Sequence, residues 1–183
     1  DPAKRENDPR FFKYPLSNPV FSLDGQTIAY NHRLKGVTLF DVASGTSTVV
    51  VPDDMYVGHS LVSFSPDGTK LLVALGQWEN PSVHAVYYPE TGALVRPQVE
   101  VEGDYCCNDH GSPLWSPDGS SFYGVGSVQG PFGYHYGEVW KVDAVDGNVT
   151  KTSLSSYEED QTLRLPVEPY FAPDGQLYFF LGA

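Results

Sequence analysis

Apolar positions in this chain come in short runs separated by clusters of Gly, Pro, Asp, Asn and Ser. Ile28-Ala29-Tyr30, Val37-Thr38-Leu39-Phe40-Asp41-Val42 and Val49-Val50-Val51 are followed by Val86-Tyr87-Tyr88, Val139-Trp140-Lys141-Val142 and Leu177-Tyr178-Phe179-Phe180-Leu181. Runs of β-branched and aromatic residues bounded by turn formers predict strands. No stretch carries a 3.6-residue period, and 15 Pro with 18 Gly would interrupt most helices. The expected fold class is therefore all-β.

One phrase punctuates these runs four times: Phe21-Ser22-Leu23-Asp24-Gly25, Phe64-Ser65-Pro66-Asp67-Gly68, Trp115-Ser116-Pro117-Asp118-Gly119 and Phe171-Ala172-Pro173-Asp174-Gly175. The spacings are 43, 51 and 56 residues, the signature of a repeat architecture. Each phrase ends a strand on an aromatic and turns the chain, since Pro presets φ, Asp bonds neighbouring backbone and Gly accepts φ > 0. A second, out-of-step turn follows at Ser44-Gly45, Thr91-Gly92 and Asp146-Gly147. Each complete unit thus reads as four short strands, a to d, with tight turns at a–b and c–d. The four aromatics are expected to be buried between units.

Four-stranded units of this length are the size of β-propeller blades. The Ser-Pro-Asp-Gly turn after the innermost strand resembles the TolB-like branch of WD-repeat propellers, over roughly residues 17 to 183. That resemblance implies four-stranded antiparallel blades at 18–51, 59–100 and 111–153, a partial blade at 168–183, and an N-terminal arm at 1–17. Such blades serve periplasmic scaffolds, the gating propellers of prolyl-oligopeptidase-type peptidases and oligogalacturonate lyases, so function must come from the site. About three and a half blades do not close a conventional ring. Further sequence, a second copy or another chain, or residues 11–16 folding back would each complete it.

Topology then assigns the two ends of the blades. The a–b and c–d turns share one end, and the b–c and d–a connections share the other. From the Asp of the first turn to the Gly of the second the distance grows from 21 to 25 to 29 residues, so much of the length variation falls in the b–c loops. Variable connections on one end of a rigid array are where repeat proteins place binding. Here these connections carry Trp78, Tyr105, Phe132, Tyr134, His135 and Tyr136 among carboxylates and amides. Aromatic faces with polar neighbours suit a carbohydrate or protein ligand. Packing of the loops on themselves is the competing role.

His59 and His110 stand eight residues before Asp67 and Asp118, which places them equivalently at the mouth of two innermost strands. Two residues further along the repeat come Asn18, Ser112 and Glu168. His59, His110 and Glu168 form a candidate divalent-metal set, although two imidazoles are few for a closed site. An entrance histidine also serves by bonding a neighbouring loop. No other cofactor is indicated. Cys106 and Cys107 are adjacent, and a bond between them is strained because neighbouring Cα atoms lie about 3.8 Å apart. Free thiols, a vicinal disulfide and a thiolate metal site all stay open.

The charge balance narrows the partners. Eleven basic against 23 acidic residues give a net charge of −12, which opposes nucleic acid and anionic membrane surfaces. No apolar run approaches the roughly 18 residues of a membrane span. No Gly-x-Ser-x-Gly elbow occurs, so the hydrolase half of a peptidase is not in this sequence. Asp143 and Asp146 read as turn formers, and Asn148-Val149-Thr150 as a glycosylation acceptor pattern at a hairpin tip. The sequence reads as an extracytoplasmic, periplasmic or secreted, non-catalytic binding or assembly module. The alternative is the propeller part of an enzyme, either a gating domain of a serine peptidase or a metal-dependent lyase.

Overall fold

The computed structural model describes residues 16–32, 35–52, 63–77, 80–98, 113–130, 133–153, 166–173 and 175–181. Among them there is strand and turn but no helix. The first sheet runs β1 (Leu16–Phe21), β2 (Thr27–His32), β3 (Gly36–Asp41) and β4 (Thr46–Pro52), each antiparallel to the next. The second repeats that meander with β5 (Ser63–Phe64), β6 (Leu71–Gln77), β7 (Asn80–Tyr88) and β8 (Ala93–Val95). A third follows with β9 (Leu114–Trp115), β10 (Ser121–Gly130), β11 (Gly133–Asp143) and β12 (Val149–Ser153), and then a pair, β13 (Pro166–Phe171) and β14 (Leu177–Leu181).

The repeated phrase makes the same turn each time. The Gly N–H closes on the carbonyl three residues back, at 2.8 to 2.9 Å, with φ between +67° and +81°. Serine does more than its sequence position suggests. Ser22, Ser65 and Ser116 each donate to the turn Asp at 2.5 to 2.6 Å and accept the backbone N–H five residues on at 2.9 to 3.0 Å. That hydroxyl ties strand b back to strand a. In the fourth turn Ala172 stands in its place, and backbone bonds through Ala172 close the turn without a hydroxyl.

Strand alternation puts neighbouring residues on opposite faces, and the second sheet is covered on both. Leu71, Val73, Ala85 and Tyr87 pack with Ala29 and Val37 of the first sheet. Leu72 and Val86 pack with Trp115, Phe122, Trp140, Val142 and Ala144 of the third. Full burial of each such aliphatic side chain contributes about 1.5 to 3 kcal/mol. This is why β6 opens on the uninterrupted apolar run Leu71-Leu72-Val73-Ala74, as a strand buried on both faces does.

Hydrogen bonds add to the second joint. Tyr88 Oη donates to the Ala144 carbonyl at 2.8 Å, and Gln98 reaches across with its backbone N–H to Gly147 O at 2.8 Å and its Nε2 to Asp146 O at 2.7 Å. The chain leaving the second sheet thus straps down the c–d turn of the third.

The repeated aromatics follow one rule: each faces the sheet that precedes it. Phe64 packs toward the first sheet and Trp115 toward the second, while Phe171 meets Tyr123 of the third edge-to-face at 5.5 Å. Of the four, Trp115 is buried and Phe64 and Phe171 are half-buried, while Phe21 departs furthest from the expected burial and is 64% exposed. It occupies the same position, but among the described residues no sheet precedes its own.

Candidate functional site

At the turn end the first three Asp-Gly turns stand side by side. Ser22, Leu23 and Asp24 line a shallow groove with Asp67 and Gly68, and a Cβ placed on Gly119 would touch Pro66 and Asp67. The carboxylates here are engaged by their own turns. Ser22 and the Gln26 amide hold Asp24 below its ordinary value, and Ser44 does the same for Asp41. Ser116 and Ser120 bring Asp118 down to about 2. Partial burial opposes the charge on Asp67, but hydrogen bonds from Lys70, Ser65 and Thr69 outweigh it and leave the group well below the usual carboxylate range. These groups shape turns, as do Asp143 and Asp146, which accept backbone N–H bonds from Val145 and Asn148 at 2.8 Å.

The opposite end is uneven. The b and c strands measure six and six residues in the first sheet, seven and nine in the second, and ten and eleven in the third. At about 3.3 Å per residue, the four extra residues of β10 carry the third hairpin roughly 13 Å beyond the first. Its ladder holds to the tip, pairing Ser127 with Tyr136, Val128 with His135, Gln129 with Tyr134 and Gly130 with Gly133.

Tyr134, His135 and Tyr136 therefore sit on β11, where the sequence alone places them in a loop. Glycines 124, 126, 130, 133 and 137 disguise the strand, because glycine weakens strand signals. The register slips once, between Gly126–Glu138 and Ser127–Tyr136, and leaves Gly137 as an extra residue. Such a bulge sharpens the twist and redirects the hairpin beyond it.

The innermost strands carry a second set of bulges. In β1 the pair Asn18-Pro19 stands opposite Tyr30 alone, and in β13 Glu168 is the extra residue between Val167 and Pro169. Both bulges fall at an X-Pro step two residues before the repeated aromatic, and Ser112-Pro113 shares that spacing. Proline has no N–H for the ladder, so the strand must yield there. The signal was present in the sequence as Pro19, Pro113 and Pro169. It places Asn18 and Glu168 at points where the backbone leaves the regular pleat.

Trp78, Tyr105, Phe132, His59 and His110 lie outside the described residues, as do Cys106 and Cys107. Glu168 and the three hairpin residues are placed as backbone positions. Among the described residues no three His, Cys, Asp or Glu converge as a metal site requires, and no helix is long and apolar enough to cross a membrane.

No family model matches the sequence, and no curated protein matches it. Solved structures do. The chain is similar to TolB from Acinetobacter baumannii, with a TM-score of 0.53 and 18% identity over 90% of this chain and 37% of that one. It is similar to an oligogalacturonate lyase in complex with manganese, with a TM-score of 0.56 and 18% identity over 90% of this chain and 44% of that one. Tricorn protease matches with a TM-score of 0.50 and 13% identity, over 70% of this chain and 13% of that one. This chain spans less than half the length of each. All three are β-propeller folds, and at such identities the likeness establishes the fold alone.

Proposed function

We propose that this chain is a non-catalytic binding module of the TolB-like propeller type, acting outside the cytoplasm, whose ligand seats at the end where the b–c hairpins project. The observation that carries this reading is the third hairpin. It is a paired ladder with one bulge at Gly137 rather than a loose loop, it outreaches its neighbours, and it carries Tyr134, His135 and Tyr136 in succession. Aromatic groups on a rigid support bury area with little loss of side-chain freedom. Trp78, Tyr105 and Phe132 join them in the proposal as residues of the connections at the same end. The net charge of −12 favours a neutral oligosaccharide or a basic protein face over a polyanion.

The direct test titrates the isotope-labelled chain with a series of neutral oligosaccharides and with Lys- and Arg-containing peptides, following amide shifts at 126–137. One of these probes is expected to move those amides, and Tyr134→Ala combined with Tyr136→Ala to weaken its binding at least about tenfold, as loss of two aromatic anchors does. Shifts confined to the Asp-Gly turn end would refute the reading. A manganese titration run beside it addresses the metal set proposed from His59, His110 and Glu168. Tight binding abolished by His110→Ala would move the assignment to a metal-dependent lyase.

A further inference from the structure

The sequence holds five Asp-Gly steps, at Asp24, Asp67, Asp118, Asp146 and Asp174. Such a step can rearrange without an enzyme, because glycine has no Cβ to shield its amide nitrogen from the preceding side chain. The nitrogen gives up its proton and bonds to the aspartyl Cγ, a carboxyl oxygen leaves as water, and a five-membered succinimide forms. Water then adds to one of the ring carbonyls. Addition at the main-chain carbonyl opens the ring to isoaspartate, which carries one extra carbon in the backbone and, over the two steps, leaves the mass unchanged.

The first step needs a neutral carboxyl, whose oxygen leaves readily, and freedom for that carboxyl to swing onto the nitrogen. The first three turns deny both. In each, one oxygen of the Asp accepts from the serine Oγ at 2.5 to 2.6 Å and from the backbone N–H two residues on at 2.9 to 3.0 Å. The Gly N–H is held by the carbonyl of that same serine. Hydrogen bonds of this kind favour the ionised carboxyl. At Asp118, brought down to about 2 from an ordinary 3.8, they cut the neutral fraction at mildly acidic pH about sixtyfold. Asp146 is held by other means. Its two oxygens take the Asn148 backbone N–H at 2.8 Å and Nδ2 at 2.6 Å, and the Gly147 N–H donates to the Asp143 carbonyl at 3.0 Å.

The fourth turn is the exception. The Gly175 N–H still closes on the Ala172 carbonyl at 2.8 Å, yet alanine has no hydroxyl to offer an aspartate. Asp174 itself lies outside the described residues, and its place in the series comes from the repeat. We propose that the serine of the repeated phrase guards its Asp-Gly step against rearrangement, and that Asp174, whose phrase carries alanine instead, is the isoaspartate-forming site of this chain. Isoaspartate there lengthens the link between β13 and β14 by one carbon, so the Phe171–Leu177 rung beside the turn is expected to lose its register. This chemistry belongs to the turn end and is independent of the ligand site.

Ageing the 183-residue chain at mildly acidic pH, followed by peptide mapping, provides the test. Isoaspartate is counted at each step by enzymatic carboxyl methylation with a labelled methyl donor, and by lost cleavage with a protease that cuts before aspartate. It is expected to accumulate at Asp174 at least about tenfold faster than at Asp24, Asp67, Asp118 or Asp146. Ala172→Ser is expected to slow Asp174 toward the rate of the other turns. Ser116→Ala is expected to raise the rate at Asp118 at least about tenfold, and Ser116→Thr, which keeps a hydroxyl, to leave it protected. Alanine already closes the fourth turn, so Ser116→Ala is expected to keep the circular dichroism and the rates at Asp24 and Asp67 unchanged. Equal rates at all five steps would overturn the proposal. Ala172→Ser without effect on Asp174, or Ser116→Ala without effect on Asp118, would overturn it as well.

Discussion

Trp140→Ala is expected to destabilise the chain by about 3 to 5 kcal/mol, the largest loss from any single side chain here. The indole is fully buried in β11, facing Leu72 and Val86 across the joint between the second and third sheets. Its cross-strand partners are Gly124, which leaves room for the ring, and Lys151, whose ammonium lies 4.4 Å from the ring centroid. Alanine would leave a cavity that flanking strands held by two ladders cannot collapse into. Urea denaturation followed by far-ultraviolet circular dichroism gives the number, and a loss below about 1 kcal/mol would be incompatible with the packing described. Trp115 provides the contrast. Its buried Nε1 has no hydrogen-bond partner among the described residues. Trp115→Phe removes that unpaired donor while keeping an aromatic ring, so it is expected to cost under about 1 kcal/mol.

Gly147→Ala is expected to cost about 3 kcal/mol, combining a strained φ with an overpacked contact. At φ +76° a Cβ would overlap the carbonyl oxygen of Arg96, and this is backbone that no rotamer change can move aside. The segment it would displace is the strap from which Gln98 bonds Gly147 and Asp146. Gly45 and Gly92 close the equivalent turns of the first two sheets at φ +67° and +72°, with nothing within 4 Å of the point where a methyl group would stand. Alanine there meets only the conformational penalty of about 1 to 2 kcal/mol. Thermal unfolding of the three variants side by side separates the two contributions. A Gly147→Ala no worse than Gly92→Ala would mean that the strap does not lie over the turn.

The parts of the fold that were legible in the sequence are those with a local cause. The Asp-Gly turns and the four-strand meanders follow from turn chemistry and apolar runs. Where the cause was non-local, the reading fell short. Phe21 has the same sequence context as Phe64, and only the absence of a preceding sheet among the described residues makes it exposed. The strap at Gln98 and its clash with any side chain at 147 depend on two segments about 50 residues apart. At the candidate site, glycine-rich sequence hid the full length of β10 and β11, because their ladder is held by pairing across the hairpin rather than by strand-forming side chains. The bulges at Asn18 and Glu168 were written as X-Pro steps, yet a proline reads equally well as the end of a strand.

The sheets stand face to face in chain order, so that consecutive residues of β6 look at different neighbours. Methyl-resolved nuclear Overhauser spectroscopy reads that arrangement without intermediaries. Contacts are expected from the Val73 methyls to Ala29 and Val37 of the first sheet, and from the Leu72 methyls to the rings of Trp115 and Trp140 of the third. Contacts from Leu72 and Val73 to the same sheet, or from neither to the tryptophans, would rule the arrangement out.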